Sequence, residues 1–353
     1  YDGKTEVIKG VSLEIQPGQT VAFVGPSGGG KTTVSRVING SGYVKSETEQ
    51  KIREVMDKYQ YQPNAAAQTL SRQESDAVGL LLPEVNNPFF SEMISGISAF
   101  IEKSGFTLVL SNSDNDPLRA ARALEMMSRQ RVRGLIYVPA CDYDDEENYG
   151  RIKSLLERLS CPIVILDRPI AKLTYDCVTT DNFSGAMECT NALIEAGHRR
   201  IGVVVGNMEL FIGRERFRGF KKALESARIP LKEKDVLYGE FSQQTTYQLV
   251  KEMLESGDYP RAFFLSNNLS EAGFLQAVTE KGLRIPEDIA FVSFDKISNQ
   301  EIFNLPFSYL ERNVQDLGEQ AARLLVRRFN DPDGPQQRVV VMSKVALLGS
   351  EKK

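Results

Sequence analysis

The chain has 353 residues, 41% of them hydrophobic and 25% charged, a balance typical of a globular protein with room for two or three domains. The formal net charge is −4, so nothing in the overall charge indicates a nucleic acid partner. The chain has one histidine and four dispersed cysteines, which disfavours Ser/His or Cys/His catalysis and a metal site and is typical of a reducing cytoplasm. No apolar run approaches the ~18 residues that a membrane span needs.

The first part of the chain changes from β-type to helical patterns. Alternating and short apolar runs over residues 1–24, broken by a Pro-Gly turn, predict β-strands. Three helical stretches follow at 32–39, 46–59 and 64–71, and the second of these places Ile52, Val55 and Met56 on one face.

Residues 31–72 are locally basic. Seven Lys or Arg residues stand against four Asp or Glu residues in this segment, an excess of +3 that leaves about −7 on the remainder. A solvated helix face and a nucleic acid contact both account for such an excess.

From Asp76 onward, short apolar runs alternate with helical patterns. Strand–helix–strand alternation over roughly 220 residues predicts parallel sheets with helices on both faces. So many strands favour two similar lobes, with a ligand cleft at the strand ends. The predicted strands are 77–83, 106–112, 133–139, 161–167, 200–206, 261–267 and 288–295, and the predicted helices are 89–103, 117–130, 183–196, 214–227, 243–256 and 269–281.

One motif indicates nucleotide binding. "GPSGGGKT" fits G-x-x-x-x-G-K-[ST], in which glycines let backbone N–H groups face phosphate oxygens while Lys and Thr serve the outer phosphates and Mg²⁺. Residues 1–33 resemble the start of an ABC-transporter ATPase domain. The resemblance implies nucleotide contacts by Tyr1, Gly25, Gly30, Lys31 and Thr32.

The ATPase resemblance ends after less than a tenth of the chain. There is no "LSGGQ" signature, and "IVILDR" has Arg where a catalytic Glu would follow the Asp. A phosphate loop alone does not perform phosphoryl transfer, which depends on positioning and charge stabilisation by several groups. We therefore expect no enzyme activity, no cofactor and no metal.

The remaining nine-tenths resemble the LacI/GalR family of ligand-responsive bacterial repressors. "TTVSRVINGSGYVKSET" resembles the recognition helix of that family and its following turn, and "QYQPNAAAQTL" resembles its hinge. "VGLLLPEVNNPFFSEMISGI", "VILDRP", "DNFSGA", "GHRRIG", "ERFRGF", "GLRIPEDIAFVSFD" and "LGEQAARLL" resemble landmarks of its effector-binding core.

The resemblance assigns DNA contacts. Thr contacts bases or phosphate, and Lys and Arg supply charge and bind guanine edges. The hinge helix would lie in the minor groove, where Leu70 would act as a wedge; the alternative for Leu70 is an ordinary core position. The implied DNA-binding residues are Lys31, Thr32, Thr33, Ser35, Arg36, Asn39, Tyr43, Asn64, Ala67 and Leu70.

The resemblance also assigns effector contacts at strand ends. An aromatic face with several charged or amide groups suits a sugar, a sugar acid or a sugar phosphate. Purely structural roles are the alternative at three of these positions: Asp295 and Arg216 could form a structural ion pair, and Phe90 could be a core residue. The implied effector-binding residues are Phe89, Phe90, Asp114, Arg168, Arg216, Asn267, Asp295 and Arg312.

Two positions depart from the family's pattern. Arg312 stands where a glutamine or similar residue is expected, and Lys296 replaces the second Asp of the usual "DD". Both add positive charge near the cleft mouth, which makes an anionic effector more plausible.

The two resemblances conflict at Lys31. The family's head begins with a helix that supports the recognition helix against the groove, and β-prone "QTVAFVGPSGGG" occupies its place. Such a conflict between local and global signals argues against an intact domain over residues 1–30, and we hypothesise that this segment is foreign to the rest.

The sequence thus predicts an α/β protein with a two-lobed periplasmic-binding-protein-like core over 76–349. A truncated helix-turn-helix and hinge over 31–75 and a short β-prone segment precede it. We expect a cytoplasmic, homodimeric repressor that binds operator DNA through an impaired head and a carbohydrate-like effector, without a membrane. The alternatives are an ATP-binding fragment of an ABC-type ATPase and a sugar-binding module without DNA binding.

Overall fold

The structure is a computed structural model, and it describes residues 31–39, 42–59, 75–143, 146–170 and 172–353. The chain divides into two compact units, Tyr1–Glu74 and Ser75–Lys353. The predicted β-prone segment over 1–30 and the predicted hinge helix over 64–71 lie outside the described residues.

The described part of the first unit is a pair of helices, α1 (Lys31–Asn39) and α2 (Ser46–Lys58). Both follow the predicted helical stretches closely. Every side chain of α2 is at least partly exposed, and Val55 is 56% exposed, so the predicted apolar face is narrower than its spacing suggested. Pairs at i, i+4 support α2 on its solvent side, with Lys51 Nζ 2.8 Å from Glu47 Oε1.

Lobe 1 of the second unit contains a six-stranded sheet in the order β11-β5-β4-β3-β1-β2, all paired in parallel. Apolar clusters lie on both faces of this sheet, which explains why its central strands are continuous buried runs rather than alternating ones. Its elements are β1 (Ala77–Leu82), α3 (Pro88–Lys103), β2 (Thr107–Asn112), α4 (Pro117–Arg129), β3 (Gly134–Tyr137), α5 (Glu146–Arg158), β4 (Ile163–Leu166), β5 (Asp176–Thr180), α10 (Val314–Asn330) and β11 (Arg338–Val341).

Lobe 2 repeats this architecture with the order β12-β10-β9-β8-β6-β7. Only the pairing of β10 with β12 is antiparallel. Its elements are α6 (Asn182–Glu195), β6 (Gly202–Val205), α7 (Phe211–Ser226), a 3₁₀ turn (Glu233–Asp235), β7 (Val236–Tyr238), α8 (Gln243–Ser256), β8 (Ala262–Leu265), α9 (Asn268–Glu280), β9 (Ala290–Ser293), β10 (Ser308–Arg312) and β12 (Ser343–Ala346).

These sheets confirm the predicted two-lobed α/β fold. No helix within the described ranges is both long enough and apolar enough to span a membrane. The prediction omits the strands β5, β7, β10, β11 and β12 and the helices α5 and α10.

The chain passes between the lobes three times. The first two crossings lie at Asp181 and Asn313, which cap the N-termini of α6 and α10 through side-chain oxygens that accept from backbone N–H groups at 2.9 Å. The third crossing lies at Met342, between β11 and β12, and this residue is 84% exposed. The lobes are therefore joined by three short segments, and two of them are fixed by helix caps.

Candidate functional site

A cavity of about 220 Å³ lies between the lobes, bordered by the carboxyl ends of strands from both sheets. Ligands of open α/β sheets bind at this edge because side chains of successive βα turns converge there. Both lobes contribute ten lining residues each. Lobe 1 provides Glu84, Asn87, Phe89, Phe90, Asn115, Pro117, Ala140, Cys141, Asp167 and Arg168, and lobe 2 provides Asn207, Glu209, Leu210, Ile212, Arg216, Glu240, Phe241, Asn267, Asp295 and Arg312.

The aromatic wall of lobe 1 comes from the first turn of α3. Asn87 caps this helix by accepting from the Phe89 N–H at 3.1 Å, and Pro88 follows at the first helical position. Phe89 and Phe90 meet edge-to-face with ring centroids 5.1 Å apart. Phe90 is 3% exposed and also packs into the lobe 1 core, so the core alternative and the cleft assignment both describe its position.

Arg168 projects from the end of β4 into the floor of the cleft. Its Nη1 donates to Asn115 Oδ1 at 2.8 Å and to the Pro139 carbonyl at 3.2 Å. The Asp167 carboxylate lies 4.0 Å from its Nε. Burial lowers the pKa of Arg168, and the negative charge of Asp167 opposes this effect.

Asp114 does not line the cleft, and its neighbour Asn115 does. Both residues have left-handed backbone conformations, with φ of 55° and 52°. Asp114 points outward and pairs with Arg119 at 2.8 Å. Asp114 therefore lies outside the cavity lining, one residue away from it, and its predicted role as an effector contact stays a prediction.

Arg216 reaches the floor from α7 and is 3% exposed. Its Nε donates to Asn182 Oδ1 at 2.8 Å, and its Nη1 donates to the Ser266 carbonyl at 2.6 Å. The guanidinium lies 3.7 Å from the ring centroid of Phe294. Burial lowers the pKa of Arg216 to about 10, against the opposing charge of Asp295.

Asp295 pairs with Arg312 rather than with Arg216, so the alternative of a direct Asp295–Arg216 ion pair is wrong. Asp295 follows β9, and Arg312 is the last residue of β10, the neighbouring strand. Asn267 lines the cleft beside them and caps α9, where its Oδ1 accepts from the Ser270 N–H at 2.8 Å.

Lobe 2 adds a rim of residues that sequence reasoning missed. Glu240 and Phe241 both have positive φ, 54° and 56°, which turns their side chains toward the cleft. The Phe241 ring lies where a Cβ on Gly206 would stand, 2.0 Å away, so only glycine fits there. Burial raises the pKa of Glu240, and the charge of Glu209 raises it further. Glutamate and phenylalanine rarely adopt positive φ, so nothing in the sequence indicated this turn.

Carboxylates outnumber guanidinium groups in the cleft lining. The acids are Glu84, Asp167, Glu209, Glu240 and Asp295, and the bases are Arg168, Arg216 and Arg312. Lys296, which was expected to add positive charge at the mouth, is exposed, pairs with Glu301 and does not line the cavity. Lys296 therefore adds no positive charge to the cavity lining.

The predicted DNA contacts of the first unit divide into described and undescribed side chains. Arg36 and Tyr43 are exposed, with Tyr43 at 85%, and Thr33 and Ser35 are half-buried on α1. Only the backbone of Lys31, Thr32 and Asn39 is described, within α1. Asn64, Ala67 and Leu70, together with Tyr1, Gly25 and Gly30 of the phosphate loop, lie outside the described residues.

Two family descriptions match the chain. One, for bacterial regulatory proteins of the lacI family, matches residues 26–64, and another, for periplasmic binding proteins and the sugar binding domain of the LacI family, matches residues 75–347. The first match begins at Pro26, inside "GPSGGGKT", so the regulator resemblance extends further toward the N-terminus than Lys31. The hypothesis of an ATPase-derived segment gains no support from these matches.

Curated relatives are similar over most of the chain. The HTH-type transcriptional repressor PurR of Haemophilus influenzae is 31% identical over 308 residues, which are 87% of this chain and 90% of the relative. The ribose operon repressor of Haemophilus influenzae is 29% identical over 318 residues, 90% of this chain and 93% of the relative.

Solved structures share the fold. A transcriptional regulator CelR–cellobiose complex is similar with a TM-score of 0.70 and 27% identity, over 90% of this chain and 94% of that chain. A Lac repressor dimer bound to operator and the anti-inducer ONPF has a TM-score of 0.79 over 91% of this chain and 95% of that one. At 22% identity, it shows the fold alone.

Proposed function

Since the chain belongs to the LacI family of bacterial regulatory proteins, we propose that it is a transcriptional repressor whose DNA binding is controlled by a small effector in the interlobe cleft. The observation that carries this proposal is the pairing of two matches in one chain, a DNA-binding match over 26–64 and a sugar-binding match over 75–347. The proposed site of action is the cytoplasm, where operator DNA lies.

A carbohydrate is the effector class that the cleft favours. The Phe89 and Phe241 rings offer apolar faces for C–H surfaces, while Asp295, Asn267 and Arg168 offer acceptors and donors for hydroxyl groups. The similarity to a regulator solved with cellobiose supports the same class. A sugar acid or sugar phosphate is a narrower version of this proposal, because Arg168 and Arg312 carry buried N–H groups without a hydrogen-bond partner among the described residues.

Control would operate through the separation of the lobes. An effector that contacts both lobes binds one relative arrangement better than others and shifts the population toward it by that difference in affinity. In a homodimer, which family membership supports, this shift would change how two heads address the two halves of an operator.

We further propose that DNA binding is weakened by the segment before α1. A family-type first helix supports the recognition helix against the groove, and the β-prone pattern of residues 1–24 does not favour a helix there. The sharpest test is selection from a randomised duplex pool at two salt concentrations, comparing the chain with a variant in which a family-type first helix replaces residues 1–30.

A palindrome selected only by the replacement variant would support an impaired head. The same palindrome selected by both would overturn the impairment but leave the repressor proposal intact. If neither chain selects DNA, the repressor proposal fails and the sugar-binding module remains. In whichever chain binds DNA, Arg36→Ala should reduce the slope of the logarithm of the binding constant against the logarithm of salt concentration by about 1. Arg53→Ala, which changes an exposed arginine of α2, is the control and should leave that slope unchanged.

Effector binding is tested separately by thermal shift. A panel of pentoses, hexoses, cellobiose, sugar acids, sugar phosphates and Mg-ATP is mixed with the chain, since a ligand that binds only the folded state raises its melting temperature. We expect a carbohydrate to raise the melting temperature of the native chain but not of Arg216→Met, which removes two donors from the cleft floor. A shift with Mg-ATP alone would favour the nucleotide alternative instead.

A further inference from the structure

Arg312 immediately precedes the second of the three crossings between the lobes. It is the last residue of β10 in lobe 2, and the next residue, Asn313, caps α10 of lobe 1. We propose that Arg312 is a positioning residue that holds the two lobes together. This inference depends on the geometry of the two lobes and not on the identity of an effector.

The Arg312 guanidinium touches both lobes. Its Nη2 donates to Asp295 of lobe 2. Its central carbon lies 4.5 Å from the ring centroid of Phe89 in lobe 1 and 5.0 Å from that of Phe294 in lobe 2. A planar cation between two aromatic rings is attracted by both ring faces, and the attraction is larger when the cation is shielded from water. Separating the lobes would remove Phe89 from this sandwich.

The shielding is nearly complete. The Arg312 side chain is 4% exposed, and within the described residues its Nε and Nη1 have no hydrogen-bond acceptor. Burying donors without acceptors is unfavourable, so this arrangement persists only because the ion pair and the two rings outweigh that cost. A lysine would keep the charge but lose the planar stacking on the rings.

Two further polar contacts cross the cleft away from the hinge. Asn268 Nδ2 of lobe 2 donates to Asn87 Oδ1 of lobe 1 at 3.0 Å. Arg214 Nη2 at the start of α7 donates to Asp142 Oδ2 of lobe 1 at 2.6 Å. These contacts limit how far the lobes separate when Arg312 is changed, so the expected effect is a shift in population rather than dissociation.

Asp295 links this contact to ligand binding. Its carboxylate lines the cavity and is also the partner of Arg312. A ligand hydroxyl that donates to Asp295 therefore shares this carboxylate with Arg312 and lowers the negative charge that the carboxylate offers to the guanidinium. In this way, occupancy of the cleft would be transmitted to the hinge strand through one side chain.

Two native cysteines provide a ligand-free test. Cys141 lines the cleft, whereas Cys161 lines a separate cavity of lobe 1 together with Tyr175, and both are partly exposed. Burial raises the pKa of the Cys161 thiol to about 12, so the useful quantity is the change in each rate between variants. Iodoacetamide labelling of the full chain is followed by peptide mass spectrometry for native protein, Arg312→Met, Arg312→Lys and Glu311→Gln.

Arg312→Met should label Cys141 about threefold faster or more, because more open molecules are populated, while labelling of Cys161 stays at the native rate. The Cys141 labelling rate of Arg312→Lys should lie between those of the native protein and Arg312→Met. Glu311→Gln, which alters the neighbouring residue of the same strand and its exposed pair with Lys344, should leave both rates unchanged.

An unchanged Cys141 rate in Arg312→Met would overturn the proposal. Equal acceleration of both cysteines would also overturn it, because that result means general loosening rather than separation of the lobes. Neither result bears on DNA or effector binding, so failure here is distinguishable from failure of the proposed function.

Discussion

Glu271 is a carboxyl group buried in lobe 2, 1% exposed, and neither of its oxygens has a hydrogen-bond partner among the residues described. Burial raises the pKa of this carboxyl well above its usual range; the neighbouring Ser293 hydroxyl opposes part of this rise, and the charge of Asp295 adds to it. An ionised carboxylate without partners is far more costly to bury than the neutral acid. The folded protein therefore keeps the Glu271 proton over a pH range in which the unfolded chain releases it.

Glu271→Gln should remove a pH-dependent loss of stability. The folded state binds more protons than the unfolded state above the unfolded pKa of about 4.3, so the free energy of unfolding falls as pH rises, by at most about 1.4 kcal/mol per unit. In urea denaturation at pH 8, the free energy of unfolding of Glu271→Gln should exceed that of the native chain, and the difference between them should narrow toward pH 5. The exposed control Glu255→Gln should show no such trend, and an equal gap at both pH values would contradict the account.

At the scale of secondary-structure elements, α3 and α10 approach each other through glycines. A Cβ on Gly96 would lie 2.1 Å from the Gln315 carbonyl oxygen, and a Cβ on Gly318 would lie 2.4 Å from the Met93 carbonyl oxygen. Backbone carbonyls cannot move aside as a flexible side chain does. The close packing of the two helices in lobe 1 thus depends on the missing side chains.

Gly96→Ala should destabilise the protein by about 1–3 kcal/mol, because the added methyl group forces the helices apart. Gly150→Ala is the matched control within helix α5, where nothing lies within 4 Å of the added Cβ. There the better helix propensity of alanine should stabilise by up to about 1 kcal/mol. Urea denaturation of both variants measures whether the free energy of unfolding falls for Gly96→Ala and rises for Gly150→Ala. Equal changes in the two variants would contradict the proposed close packing.

At the scale of the whole molecule, each lobe is completed by chain from beyond the other. Lobe 1 receives α10 and β11 after lobe 2 has been almost completed, and β12 then returns to lobe 2. The last residues also pack there: Ser350 Oγ donates to the Phe291 carbonyl at 2.8 Å, and the Ser308 N–H donates to Ser350 Oγ at 2.7 Å. The C-terminal segment therefore supplies lobe 2 with an edge strand and with partners for buried backbone groups.

Deletion of residues 342–353 should lower the free energy of unfolding by about 3 kcal/mol or more, since it removes an edge strand and leaves several buried groups without hydrogen bonds. Deletion of Lys353 alone is the control, because that residue is exposed and has one long contact, 3.4 Å from Nζ to the Gly197 carbonyl. Circular dichroism during urea titration measures both. Native-like stability of the longer deletion would show that the segment is dispensable.

Local sequence patterns predicted much of the architecture and part of the cleft lining. Seven strands and six of the eight helices described in the second unit were predicted within a few residues, and seven of the eight proposed effector contacts line the cavity. The helices α5 and α10 were missed although both are amphipathic. The missed strands have a physical reason. The edge strand β11 is short and gains its pairing from β5, more than 150 residues away along the chain. Local periodicity does not contain such a relation.

The sequence by itself determined the alternation of strands and helices, the two lobes and the family, because hydrophobic period and recognisable motifs are properties of neighbouring residues. Only the tertiary structure decided that Asn115 rather than Asp114 faces the cleft, that Phe241 enters it, and that Asp295 pairs with Arg312. Those outcomes depend on turn conformations and on distances between segments far apart in the chain. Packing of the whole molecule sets both.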